Sequence, residues 1–205
     1  MTGTILPFVE GESEEEAVPV LLRRLLDRLG RLDVPVARPF RLSRTRMVRQ
    51  GELERAVTQG IRSRPDVSCV LIILDADDDE HEPLEMLLLE RCRTITSLPA
   101  AVVVATRELE AWFLGSKDSL RGVRGIKPDA NAPAEPEAIR GAKERLTRNM
   151  VGRRYLPVDD SPAFAARIDL DLALQRCASF RRLADGLERI LAESARAEDS
   201  SHGTS

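Results

Sequence analysis

The sequence predicts an α/β fold, a mostly parallel sheet with helices on both faces and a C-terminal helical extension. Three observations point there. Two short apolar runs stop abruptly at carboxylates: Ile5-Leu6-Pro7-Phe8-Val9 at Glu10, and Val70-Leu71-Ile72-Ile73-Leu74 at Asp75. Such runs fit strands buried on both sheet faces. Apolar runs also alternate with stretches of helical period, which favours crossover connections and a parallel sheet. After Gly115 that alternation stops, and only helical periods remain.

In order, a strand at 4–9 leads to a helix at 13–29, where Leu21, Leu22, Leu25, Leu26 and Leu29 recur at helical spacing. Ser13 followed by Glu16 fits a capping box, and Gly30 a stop. A second strand falls within 34–42 and a helix within 51–62. The third strand is 68–74, and an acidic turn leads into a helix at 84–95. A fourth strand at 100–105 and a helix at 108–114 complete an α/β core over 1–114. Gly115, Gly122, Gly125, Pro128, Pro133 and Pro136 make 115–136 a long loop or lid. Helices at 136–149, 162–168 and 178–194 form an extension over 137–194 that packs on the core. The small polar residues 195–205 are expected to be disordered.

In open α/β sheets, ligands bind outside the carboxyl ends of the strands. Glu10 and Asp75 stand at that edge. Asp77 follows Asp75 by two, and on a strand that spacing would put both carboxylates on one side, roughly 6–7 Å apart. Glu14 lies one turn into the first helix and can fold back toward Glu10. Clustered carboxylates repel one another unless protons or a cation relieve them, and an all-oxygen set suits Mg²⁺ or Mn²⁺. Glu108 and Glu110 follow the fourth strand and could complete a second metal site. Bland readings stand beside these. Glu12, Glu14, Glu15 and Glu16 favour the positive end of a helix in any case. Asp78, Asp79, Glu80 and Glu82 extend the acidic run as a solvated loop would. Glu108 and Glu110 fit a helix start capped by Thr106.

Val9-Glu10-Gly11-Glu12-Ser13-Glu14 and Asp75-Ala76-Asp77 together resemble the Toprim superfamily, most closely its overcoming-lysogenization-defect (OLD) nuclease branch. Arg107-Glu108-Leu109-Glu110-Ala111-Trp112-Phe113 and Cys177-Ala178-Ser179-Phe180-Arg181-Arg182-Leu183 are similar to domain of unknown function 4276, with Arg107 where that family has a His. The resemblance runs from about Ile5 to Leu191. It implies a Toprim-like, Rossmann-like fold and a Mg²⁺-dependent nuclease with Glu10, Asp75 and Asp77 catalytic. Metal ligands would come from Glu10, Glu14, Asp75, Asp77, Glu108 and Glu110. OLD-like domains act with an ABC-type ATPase. This sequence has no G-x-x-x-x-G-K-[ST] loop, so the resemblance implies a separate ATPase partner, as in an anti-phage defence pair.

The net charge of −3 over 205 residues argues against a globally basic nucleic-acid binder, so local stripes must carry any phosphate contact. Arg38, Arg41, Arg44, Arg46 and Arg49 form one stripe. Arg140, Lys143, Arg145, Arg148, Arg153 and Arg154 form another, within which Lys143, Arg148, Arg153 and Arg154 are the candidate nucleic-acid contacts, DNA or RNA. For any one of them, a surface side chain that snorkels and balances the acids is the commoner explanation. One Trp, one Tyr and five Phe leave little for base stacking. Cys69, Cys92 and Cys177 are odd in number and scattered, without a C-x-x-C pair, which disfavours zinc and disulfides. No basic leader precedes a long apolar stretch and no run reaches bilayer length, so the expected compartment is the cytoplasm. The rival functions are a phosphohydrolase acting on a small nucleotide and a non-catalytic sensor within a defence complex.

Overall fold

A computed structural model describes residues 3–202, with side chains described through residue 197. Among the described residues, four parallel strands form one sheet in the order β2-β1-β3-β4: β1 (Thr4–Val9), β2 (Phe40–Arg41), β3 (Val67–Asp75) and β4 (Ala100–Ala105). The α/β class read from the sequence is correct.

Period-2 alternation divides the core. Cys69, Leu71 and Ile73 of β3, with Ala101, Val103 and Ala105 of β4, face one layer. Val70, Ile72 and Leu74, with Ala100, Val102 and Val104, face the other. The first layer is covered by α1 (Glu12–Arg28) and by the later helices: α5 (Glu110–Gly115), α6 (Ala142–Arg148), α7 (Pro157–Ala165), α8 (Leu170–Arg176) and α9 (Ala178–His202). The second is covered by α2 (Arg44–Val48), α3 (Glu52–Arg62) and α4 (His81–Arg93). Among the described residues no helix is long and apolar enough to cross a membrane.

Several boundaries differ from the sequence reading. Helix α1 begins at Glu12 behind Gly11, and no side chain caps it, so the Ser13–Glu16 box does not form. Its end is as expected: Gly30 N–H reaches Asp27 C=O and Arg31 N–H reaches Leu26 C=O, satisfying the last carbonyls. The second strand shrinks to two residues plus a bridge between Ile5 and Val36. The helix expected at 136–149 starts only at Ala142, because Pro136 opens a short 3-10 turn and Gly141 takes φ 68°. Helix α8 was not expected, although Asp169 is a good cap: its carboxylate accepts from the N–H groups of Asp171 and Leu172.

Segment 115–136 holds 3-10 turns at Lys117–Leu120 and Val123–Gly125, and Leu120, Ile126 and Ala130 are buried in the first layer. Of the segment 195–205 expected to be disordered, the residues through His202 are helical. Helix α9 continues that far, since Ala195, Arg196 and Ala197 are good helix formers in the same frame. Residues 203–205 of that segment lie outside the described residues. All three thiols are free and buried, and burial pushes them up, to about 11 at Cys69 and Cys92 and about 12 at Cys177.

A buried carboxylate holds the late helices together. Asp160, fully buried, accepts from Arg124 Nε at 2.9 Å, from Arg153 at 2.8 and 3.0 Å, and from Leu156 N–H at 2.9 Å. Asp160→Ala should lower stability by about 2–3 kcal/mol in urea unfolding, because it removes charge-assisted bonds and leaves a backbone N–H unpaired. A loss under about 0.5 kcal/mol, the size of an ordinary surface change, would refute that role.

Candidate metal and phosphate site

The chain leaves β1 toward β2 on one side, then returns to lay β3 on the other. That reversal opens a crevice at the carboxyl ends of β1 and β3, the usual place for a ligand in such sheets. Glu10 and Asp75 meet there: Asp75 N–H lies 3.5 Å from Glu10 Oε2. Asp75 Oδ1 accepts from Leu109 N–H at 2.8 Å, so the carboxylate serves the start of α5 and Thr106 does not cap it. Glu14 folds back over Gly11, where an added Cβ would lie 2.6 Å from Glu14 Oε2. Gly11 takes φ −123°, an extended backbone open to any residue, and the atom a Cβ would meet is the far end of the flexible Glu14 side chain.

Burial pushes the Glu10 carboxyl up, offset by the Asp75 N–H and reinforced by the charges of Asp77 and Glu14. Asp75 is raised well above the ordinary aspartate range, first by burial of its carboxyl and then by the charge of Glu110, with Lys143 opposing. Glu110 is 1% exposed and is also raised by burial, against Lys143.

Lys143, at the start of α6, is the cation of this cluster. Its Nζ lies 3.2 Å from Glu108 Oε2 and 3.1 Å from Glu110 Oε2. Burial alone would lower its pKa, but the carboxylates of Glu110 and Asp75 outweigh that and raise it. Glu108 Oε1 accepts from Ala142 N–H at 3.0 Å. Tyr155 Oη donates to Glu110 Oε1 at 3.3 Å and lies 2.6 Å from Ser161 Oγ. Despite its ion pair, Glu110 Oε2 is buried without a well-directed hydrogen bond.

Among the described residues, no three His, Cys, Asp or Glu side chains converge closely enough to hold an ion as they stand. The donor chemistry still suits a hard divalent cation. Glu10, Glu14, Asp75 and Asp77 offer oxygen donors alone, and Asp75 is buried among like charges.

Asp77 departs from the spacing argument. Strand β3 ends at Asp75, and Asp77 takes φ 53°, so the alternation of a strand does not govern it. It is exposed and pairs with Arg44 at 3.4 Å, while its charge still reaches Glu10. Arg44, read from the sequence as one of a basic stripe, braces the turn by donating to the carbonyls of Asp75 and Ala76 at 3.0 and 3.2 Å and pairing with Asp79. Arg107 is left-handed as well, at φ 65°, and its carbonyl accepts from Asp77 N–H at 3.1 Å. Each such residue costs on the order of 1 kcal/mol, and such strain clusters at functional sites.

The basic candidates separate. Lys143 serves the acids and Arg153 serves Asp160. Arg148 and Arg154 are exposed. Their four positions do not form one stripe, because α6 ends at Arg148 and the chain turns before Arg153.

The family model described as domain of unknown function 4276 matches residues 9–188. Among solved structures, the C-terminal region of the Xanthomonas campestris pv. campestris OLD protein is similar at 16% identity, covering 96% of this chain and 97% of that one, with a TM-score of 0.47. The C-terminal region of the Burkholderia pseudomallei OLD protein is similar at 19% identity, covering 95% and 100%, with a TM-score of 0.45. A comparison with curated proteins returned no match.

The raised acids set a pH dependence. An acid whose pKa is higher folded than unfolded contributes no penalty below its unfolded value. It destabilises increasingly as pH rises through the folded value. Without divalent metal, stability from Glu10, Asp75 and Glu110 should therefore fall as pH climbs from about 4, the ordinary carboxylate range. Asp75→Asn keeps an acceptor for Leu109 N–H, so it should melt higher than the parent at neutral pH in chelator and show a flatter pH slope. Identical slopes in the two proteins would exclude repulsion at this edge.

Proposed function

This chain belongs to the family of domain of unknown function 4276, and from that premise we propose a metal-dependent nuclease subunit of the OLD-like Toprim kind. It would work with a separate ABC-type ATPase in anti-phage defence. The observation that carries the reading is the meeting of Glu10 and Asp75 across the crevice between β1 and β3, each pushed up by burial and by neighbouring like charges.

Glu10, Glu14, Asp75 and Asp77 would hold the ion. A bound Mg²⁺ or Mn²⁺ supplies positive charge against the phosphoryl oxygens of a phosphodiester. Lys143 provides a second positive charge beside it and would offset charge that develops during cleavage. Glu108 fixes Lys143 through its own bond to Ala142 N–H. Glu110, held by Tyr155 on its other oxygen, would keep the ammonium facing the crevice. These two glutamates would thus act on the lysine, and the proposed ion belongs to the four carboxylates of β1, α1 and the β3 turn.

The test is metal-dependent degradation of plasmid DNA and of RNA, with and without a candidate ABC-type ATPase. Glu10→Gln and Asp75→Asn should each lower cleavage about a hundredfold or more, and combining them should add little, because such groups act as a unit. Glu16→Gln, exposed on α1, should leave the rate unchanged. Mn²⁺ should raise the melting temperature of the parent and raise that of Asp75→Asn far less. Cleavage by Glu10→Gln at the parental rate would end the nuclease reading.

A further inference from the structure

Beside the acidic crevice, one carboxylate oxygen gathers two arginines from separate loops. Asp78 Oδ1 lies 2.6 Å from Arg140 Nη1 and 3.4 Å from Arg107 Nη1. The Asp78 and Arg140 side chains are 71% and 70% exposed, so their ion pair is worth little and exchanges easily with solvent ions. Arg107 is less free. Its side chain is 31% exposed, and its strained backbone is tied to Asp77.

Arg140 also stands where three depressions join. One of about 490 Å³ is lined by Asp77, Asp78, Arg107 and Arg176 among others. One of about 230 Å³ reaches Asp75 and Lys143, and one of about 370 Å³ runs along Arg145 and Arg148. Arg140 lines all three. Guanidinium groups match phosphate in geometry and charge, and two of them sharing one anion is how a phosphate would be held.

We propose that Arg107 and Arg140 form a phosphate clamp beside the acidic crevice, which Asp78 fills as an internal anion until a nucleic-acid backbone phosphate displaces it. The class of ligand rests on the nuclease reading; the clamp itself rests on the shared carboxylate and the converging depressions. The path it marks, from Asp75 past Arg140 to Arg145 and Arg148, replaces the stripe through Arg153 and Arg154.

Binding can be measured apart from cleavage, by fluorescence anisotropy of a short labelled oligonucleotide in chelator, with folding of each variant checked by circular dichroism. The double variant Arg107→Ala/Arg140→Ala should bind about tenfold more weakly, with a salt slope shallower by about one to two phosphate contacts. Asp78→Asn should tighten binding about threefold in the parent and have no effect in the double-arginine variant. Equal tightening in both backgrounds would be a general charge effect and would overturn the displacement. Inorganic phosphate should compete no better than its ionic strength predicts; competition well below that level would assign the clamp to the free ion and overturn the nucleic-acid ligand. If the parent binds no oligonucleotide, or the arginine variant binds as the parent does, the clamp is wrong, whatever the cleavage assay reports. If binding depends on the arginines while no metal-dependent cleavage occurs, the clamp stands and the nuclease reading falls.

Discussion

Asp75 is the residue on which the site depends. It ends the central strand β3, its N–H faces Glu10 from β1, and its carboxylate receives the first N–H of the turn into α5. Enclosing that carboxylate near Glu10, Glu14 and Glu110 is unfavourable on its own. Lys143 is the fixed answer to half of the problem, since its ammonium lies between Glu108 and Glu110. On the β1 side the Asp75 N–H and the charge of Arg44 only partly offset the burial of Glu10 and the like charges of Asp77 and Glu14. Keeping these raised acids at one edge costs the fold stability.

The rest of the molecule holds that edge still. Both faces of β3 and β4 are covered, one by α2–α4 and the other by α1 and the late helices. Trp112 shows how the late helices are tied in: its ring packs edge-on against Phe180, and its N–H donates to Ser179 at 2.7 Å. Glu137 accepts from the N–H groups of Ala178 and Ser179 and so fixes the start of α9. Behind the crevice, Tyr155 stacks on Phe164 and reaches Glu110. Helix α6 and the segment that follows it therefore supply the lysine and the tyrosine that set the charge of a site begun by the N-terminal strands.

The outer edge of the sheet is closed by side chains. Glu85 accepts from Val104 N–H at 2.9 Å, Arg182 donates to Val104 C=O at 2.9 Å, and Arg189 donates to Ala100 C=O at 3.3 Å. Glu85 and Arg182 also pair with each other at 3.0 Å. An open strand edge invites pairing with another chain, and charged side chains that satisfy its backbone groups block this.

What the sequence determined by itself was periodic or local. Wholly apolar runs ending in acid gave β1 and β3 with the carboxylates Glu10 and Asp75 at their ends, and the helical spacing of the leucines gave α1. The resemblance in short motifs was legible too, and with it the family. Tertiary structure decided everything that depends on distant residues coming together. Lys143 reads in the sequence as one member of a basic stripe; only the packing of α6 against α5 puts it between Glu108 and Glu110. Arg153 reads as a phosphate contact, but burial of Asp160 claims it. Asp77 reads as a strand neighbour of Asp75, but the strand stops and a left-handed turn re-aims it. Charge at a position is written in the sequence. Which opposite charge meets it depends on burial and chain reversal, and these belong to the whole fold.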